Sequence, residues 1–462
     1  MKRMHTCLPA LVAIAVVGAT VMACADDSGG SAPELDDAGA PPPTETLSDA
    51  GAEADPPPPS RKPPFDPADA KVTCAKEPCA VEIAAGEAHF CARMSDGAVR
   101  CWGANTAGVL GRPPSPDDAP AVVTVAGLSG VVQLSTSGTT ACALSSAGAV
   151  HCWGNNADAL LGLEADDPAS DGAPHPTPAP VALPGPAVRV DIGPRVGCAV
   201  LATTETWCWG YNGSAQLGRA TAQPLGAPAR APLAGVKAAR TAHGSFTSFA
   251  VTAEGDVVSW GTVGGPRGNL AARASSMELD PRPLPIGLGD VTRLAVTSSS
   301  TVQRWGSPQP PLDVYGRACA VVDGEVSCWG RSEYAALGTG SPDLALRPTR
   351  AAMDSGFAWA QQVAAGGETT CARLTDGTVQ CAGDNRRGGL AVGGDAGAAF
   401  SMAFRPATEL VGRAVGVAAT QSAVCALLET GAVACWGAND AGQLGQGTRD
   451  DEAHGTPVAV KF

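Results

Sequence analysis

Short runs in which apolar and polar residues alternate recur along the chain in pairs, each pair joined by a small turn-forming segment, centred on glycine in most copies. The first pair is Cys91-Ala92-Arg93-Met94 and Ala98-Val99-Arg100-Cys101, joined through Ser95-Asp96-Gly97. A period of two is that of a β-strand, and a three-residue loop closing on a left-handed glycine makes a hairpin with a bulge. In such a hairpin Met94 faces Ala98, Arg93 faces Val99 and Cys91 faces Cys101. The cysteines then form a non-hydrogen-bonded pair, with α-carbons about 4.5 Å apart, inside the roughly 4.4–6.8 Å that a disulfide spans.

The same arithmetic pairs Cys142 with Cys152, Cys371 with Cys381 and Cys425 with Cys435. Cys319 and Cys328 stand one residue closer, and between them the loop shortens to Asp323-Gly324, a two-residue turn that again sets the cysteines opposite each other. Loop length and cysteine spacing change together, as a cross-strand bond requires. Cys198 and Cys208 flank Ala202-Thr203-Thr204, a loop without glycine, and in the fourth copy Phe249 and Ser259 replace both cysteines at once. Cys74 and Cys79, in CAKEPC, are expected to close a seventh, small loop at the start of the folded part. Two cysteines per copy with no companion histidine do not supply four ligands, so zinc is not expected.

After each hairpin comes Trp-Gly or its equivalent, at Trp102, Trp153, Trp209, Trp260, Trp329, Ala382 and Trp436. The spacing, just over fifty residues apart from one longer gap, is that of one supersecondary unit per repeat, and the expected unit is a four-stranded propeller blade. A Pro-Val-like short strand and a strand such as Val131-Val132-Gln133-Leu134 precede each hairpin. The first copy starts at Val81-Glu82-Ile83 without the leading strand, and Pro457-Val458-Ala459-Val460 is left over at the end. These readings predict an all-β, seven-bladed β-propeller closed by the C-terminal strand joining the first blade. Ser307 to Leu312 reads as a Pro-rich surface loop, and Trp305-Gly306 leaves an eroded eighth blade open.

The turn after the hairpin reads W-G-x-N-x-x-[GA]-x-L-G at 102–111, 153–162, 209–218 and 436–445, and without its Asn at 329–338. With C-A-x-x-x-x-G-x-V-x-C before it, this resembles the regulator of chromosome condensation repeat, over roughly residues 81 to 462. The resemblance implies a seven-bladed β-propeller. The best-known eukaryotic member of that family promotes nucleotide exchange on a small nuclear GTPase and binds chromatin, whereas other members grip β-lactamases through loops on one face.

Charge argues against the first of these roles. The chain has a formal net charge of −14, and from position 65 onward it carries 27 basic and 36 acidic residues. Nucleic acid demands a basic footprint, so neither nucleic acid nor a small GTPase is expected as a partner. Residues 1–23 read as an export signal: Lys2 and Arg3, an apolar run from Leu8 to Val21, then Val21-Met22-Ala23-Cys24. The junction resembles the lipobox of bacterial lipoproteins, with Cys24 the lipidated residue. Of the sixteen cysteines, Cys7 leaves with the signal and Cys24 takes lipid, which leaves an even fourteen. Residues 24–64, rich in Pro, Ala and acidic residues, read as an extended tether before a propeller over 65–462. The expected location is the cell envelope, at the outer membrane or cell surface, where an oxidising compartment suits the disulfides.

No serine elbow, metal-protease helix or phosphate loop is present. The Trp-Gly pairs are expected in the blade core, the turn Asn residues on backbone groups, and His89, His151, His175, His243 and His454 in unrelated repeat positions. No catalytic residue, metal or cofactor is assigned. The expected function is recognition of a protein or glycan, by a monomer, through loops on one propeller face. Candidate loops are 112–121, 164–180, 264–285 and 307–314. The alternative is a surface hydrolase or lyase with a site at the mouth of the central channel. Carboxylates or histidines clustered at that mouth would favour the enzyme, and a polar-aromatic rim would favour binding.

Overall fold

The computed structural model describes residues 71–462 apart from 116–120, 164–169, 220–224, 231–235, 265–268, 298–299, 303–311, 315, 357 and 394–397. The signal, Cys24, the tether, Trp305-Gly306 and parts of all four candidate loops therefore lie outside the described residues. Seven four-stranded antiparallel sheets form a ring, in which each inner strand packs beside the next and the seventh beside the first. Among the described residues there is no α-helix, only three 3-10 turns.

Blade 1 shows the plan. Ala80–Ala85 is the inner strand, His89–Met94 and Val99–Gly103 are the hairpin, and Val123–Thr124 is the outer strand. The hairpin register is the expected one, with Arg93 opposite Val99 and Cys91 opposite Cys101. Six hairpin disulfides join facing cysteines, all with α-carbons 4.1 Å apart, and Cys74–Cys79 is the seventh. In blade 5 Cys319 faces Cys328 across a turn in which Asp323 and Gly324 both have positive φ. In blade 4 Phe249 faces Ser259, so the pair without cysteines keeps the same register.

Two expectations need correction. Each Pro-Val-like strand is the outer strand of the blade whose hairpin precedes it, because the chain turns back at Trp-Gly and finds the free edge of its own hairpin first. The C-terminal strand Asp450–Ala459 consequently pairs with Val433–Asn439 of blade 7 and does not hydrogen-bond to blade 1. Closure is made by side chains and by the N-terminal segment instead. Val460 and Phe462 lie against Trp102, and the backbone N–H groups of Thr73, Ala75 and Ala80 donate to the carbonyls of Glu429, Thr430 and Gly431. Secondly, Leu312 is not loop: Leu312–Val314 pairs with Ser300–Val302 as a small hairpin inserted after the inner strand of blade 5. The ring itself has seven blades.

The third hairpin meets the bulge geometry without glycine: Thr204 takes φ 69°, where Gly97 and Gly148 take 80° and 82°. A β-branched residue there is strained by about 1–2 kcal/mol. Thr204→Gly is expected to raise the unfolding free energy by about 1 kcal/mol once glycine's greater unfolded freedom is deducted. Denaturant titration checks this, and a loss of stability would contradict it.

Candidate functional site

The tryptophans form the seams between blades. Trp102, Trp153, Trp209, Trp260, Trp329 and Trp436 are fully buried, and each donates its indole N–H at 2.7–2.9 Å to a backbone carbonyl of the preceding blade. Blade 6 has Ala382 there. Its place is filled by Phe404 from the outer strand, and the carbonyl of Ala336 accepts from the Thr370 hydroxyl at 2.6 Å. The following glycine persists in every copy for a steric reason. A Cβ on Gly103 (φ 101°) would stand 2.5 Å from the carbonyl oxygen of Ala88, and the other six copies are similarly tight. These pairs are blade core, as expected, and so offer no sugar platform.

The turn asparagines likewise serve the backbone. Asn105, Asn156, Asn212, Asn385 and Asn439 each accept the N–H five residues on, from Leu110, Leu161, Leu217, Leu390 and Leu444. The histidines depart from expectation in one respect. His175, at the start of one outer strand, and His454, within another, occupy equivalent places, facing Gly154 and Gly437. Each contacts the Asp four residues before it, Asp171 or Asp450, which also accepts from Asn156 or Asn439. The loops before them differ in length, which hides this equivalence in the sequence.

A cavity of about 210 Å³ lies on the channel axis where the inner strands end, lined from all seven blades by small residues such as Ala85, Ala365 and Ala419. Its polar wall includes Asp191, Thr241 and His243. Both ring nitrogens of His243 are engaged, by Ser248 and Thr241 at 2.9 and 3.0 Å, and burial pushes its pKa down to about 4. Asp191 is held by Arg189 at 2.7 Å and by the Thr241 N–H at 2.9 Å. Asp191 and His243 are thus already occupied, while Glu87, on the same lining, is exposed. Among the described residues no cluster of three or more His, Cys, Asp or Glu could hold a metal.

The antiparallel order fixes where the candidate loops emerge. Loops from inner to second strand, and from third to outer strand, leave the same face of the ring, and the four candidates belong to these two kinds, except that His175–Pro180, Leu279–Pro285 and Leu312–Val314, expected as loop, are strand. Hairpin turns such as Ser95–Gly97 lie on the other face. On the loop face two of the chain's three tyrosines sit under arginines: Arg195 is 3.6 Å from the Tyr211 ring centroid and Arg386 4.5 Å from that of Tyr334. Asp158 of the neighbouring blade holds Arg195 at 3.0 Å, and Asp384 holds Arg386. Beside Arg386 opens a cavity of about 490 Å³ lined by Glu368, Arg387, Ser422 and Asp440, where burial, with Asp384 adding to it, pushes Glu368 up to about 7.

Models of the regulator of chromosome condensation (RCC1) repeat match residues 80–109, 360–388 and 323–373, which include the tryptophan, glycine and asparagine positions just described. This chain is an RCC1-repeat protein. RCC1 domain-containing protein RUG3 of Arabidopsis thaliana mitochondria is 29% identical over 49% of this chain and 53% of its own length. The human E3 ubiquitin-protein ligase HERC2 is 28% identical over 56% of this chain but only 5% of its own length. The chain thus spans about half, or far less, of these curated relatives. Yeast RCC1 (Prp20), solved bound to Kap60, superposes with a TM-score of 0.62 at 18% identity, covering 85% of this chain and 88% of that one. Human WBSCR16 gives 0.57 at 18%, covering 75% and 86%. At such identity the likeness is one of fold.

Twelve of the fourteen predicted cysteines staple hairpins of the RCC1 repeats, Cys74 and Cys79 staple the segment before them, and none lines a cavity described above. Sequence reasoning missed Arg195 and Tyr211, which face each other at the open end of the third hairpin, and Tyr334 and Arg386, which meet only when two blades are set side by side. Seven disulfides place the RCC1 repeats in an oxidising environment. Among the described residues no helix is long and apolar enough to cross a membrane.

Proposed function

We propose that this propeller is an exported recognition module that binds a protein, or a glycan carried on one, through the loop face, and is held at the cell envelope by a lipid on Cys24. The observation that carries the binding reading is the pair of arginine-on-tyrosine contacts on the face from which the candidate loops leave the strands. Arg and Tyr, with Trp, are the side chains most enriched among those that anchor interfaces. The engagement of Asp191 by arginine and backbone weighs against the hydrolase or lyase alternative. An acidic surface weighs against nucleic acid, and nothing in the RCC1 relatives' activities is carried to this chain.

The rim is tested by cross-linking the full chain to envelope extract beside an Arg195→Glu, Arg386→Glu variant. The reading predicts partners captured by the wild type and lost from the variant, and identical capture by both would contradict it. The anchor is tested separately. Cys24→Ala should move the protein from the membrane fraction to the soluble fraction, and retention on membranes would refute lipidation.

A further inference from the structure

Just before each second strand stands a residue whose carbonyl accepts the N–H of the residue after the Trp-Gly glycine or its equivalent, so the position corresponds in every blade. Its side chain is charged in two blades only, as Arg195 in blade 3 and Glu368 in blade 6. Arg195 is satisfied by Asp158 of the neighbouring blade and by the Tyr211 ring. Glu368 is half-buried, yet its carboxylate has no hydrogen bond or ion pair among the described residues. The two arginines nearby are engaged elsewhere, Arg386 by Asp384 and the Tyr334 ring, Arg387 by the Asp451 carbonyl at 2.7 Å.

Glu368 lines the cavity of about 490 Å³ beside Arg386, a volume in the range of small-molecule sites. The corresponding residue of blade 7, Ser422, lines it too, and its hydroxyl likewise has no hydrogen bond among the described residues. The ionisable groups on the lining are three carboxylates, Glu368, Asp384 and Asp440, against two guanidiniums, Arg386 and Arg387. Asp384 is taken by Arg386, and Asp440 accepts from Gln443 at 2.7 Å. The unmatched negative charge therefore falls on Glu368. Burial, with Asp384 and Asp440 adding to it, outweighs both arginines and pushes its pKa up to about 7. A carboxylate kept from water without a partner is unfavourable for the fold, and such local violations are what binding sites show.

We infer that the cavity between blades 6 and 7 receives an alkylammonium group, free in a small amine or on a lysine of a bound protein, with Glu368 as its counter-ion. An ammonium brings one positive charge and three donors, which the Glu368 oxygens and the Ser422 hydroxyl can accept. A guanidinium brings five donors in a rigid fork, more than those acceptors meet, and an anion would add to the negative excess. Only the ionised carboxylate can pair, so the Glu368 proton leaves to solvent as the ammonium enters. The cavity lies on the loop face. The inference rests on the reading of that face as the binding face, and it names the group that a partner presents there.

The test is calorimetric titration of the full chain, at constant ionic strength, with n-butylamine in one arm and Nα-acetyl-lysine methylamide in the other. At about pH 8, above the Glu368 pKa, the wild type should bind at least one probe saturably, the tighter arm distinguishing a free amine from a peptide-borne lysine. Both probes stay protonated down to about pH 6, where about a tenth of the Glu368 carboxylates are ionised, so affinity there should be about 10-fold weaker. Glu368→Gln keeps the shape and loses the charge; it should bind about 10-fold or more weakly at the higher pH and show no such pH dependence. Folding raises the Glu368 pKa, so the wild type loses stability as pH rises from the ordinary carboxylate range to about 7, and the variant does not. Without ligand the variant's Tm at about pH 8 should therefore match or exceed the wild type's. No saturable binding in either arm, equal wild-type affinity at the two pH values, or equal binding by Glu368→Gln would overturn the inference. The amines read the cavity directly, so their failure would leave the capture of envelope partners standing, and failed capture would leave the titration intact.

Discussion

Complete reduction of the disulfides is expected to lower the Tm by about 10 °C or more. Each hairpin bond closes a loop of 9 or 10 residues in sequence separation. In the chain-entropy model such a loop contributes about 2–3 kcal/mol, less where strand pairing already restrains the unfolded chain. Six such bonds are large against a total stability of about 5–15 kcal/mol. The hairpin cysteines are 0–1% exposed, so reductant must wait for local opening, and the reduced state should be prepared from unfolded protein. The comparison is thermal unfolding of oxidised and reduced chain, with reduction checked by thiol titration. Blade 4 supplies an internal control: with Phe249 and Ser259 in place of cysteines, its amide exchange should change least. An unchanged Tm after verified reduction would contradict the account.

Trp102→Ala is the second large effect. Trp102 is fully buried at the one seam that the chain does not cross between consecutive blades, where blade 7 meets blade 1. It stacks on Phe90 at 5.7 Å, meets the edge of Phe462 at 5.6 Å and donates to the Gln443 carbonyl at 2.9 Å. Truncation of a buried Trp costs about 3–5 kcal/mol. Here it should also open the ring, because outer-strand pairing does not close it. Trp153→Ala, at a seam that the chain crosses, is the matched comparison and should cost no more. Denaturant unfolding of the two variants measures this. A smaller loss in Trp102→Ala would mean that the backbone bonds of Thr73, Ala75 and Ala80 carry the closure alone.

The staples and the repeat were legible because both are local. Cysteine spacing and loop length sit within a dozen residues, and alternation at a period of two states which residues face each other. The phase of the blade was not legible, since a strand between two hairpins can join either one. The free edge beside Trp-Gly decides it, and the sequence carries no mark of that edge. At Ala382 the sequence shows only that Trp is replaced, whereas Phe404 and Thr370, from other strands, supply the volume and the hydrogen bond that Trp supplies elsewhere. The functional features were the least legible: Arg195 and Tyr211 come from separate turns, whereas Arg386 with Tyr334, and Glu368 with Ser422, unite separate repeats.

The central claim is that six of the seven blades each carry a covalent bond across neighbouring strands. Peptide mapping of the non-reduced chain by mass spectrometry tests it most directly. The account predicts Cys74 linked to Cys79 and six links between cysteines 9 or 10 residues apart, each within one hairpin. Links between different repeats, or free thiols at these positions, would contradict it.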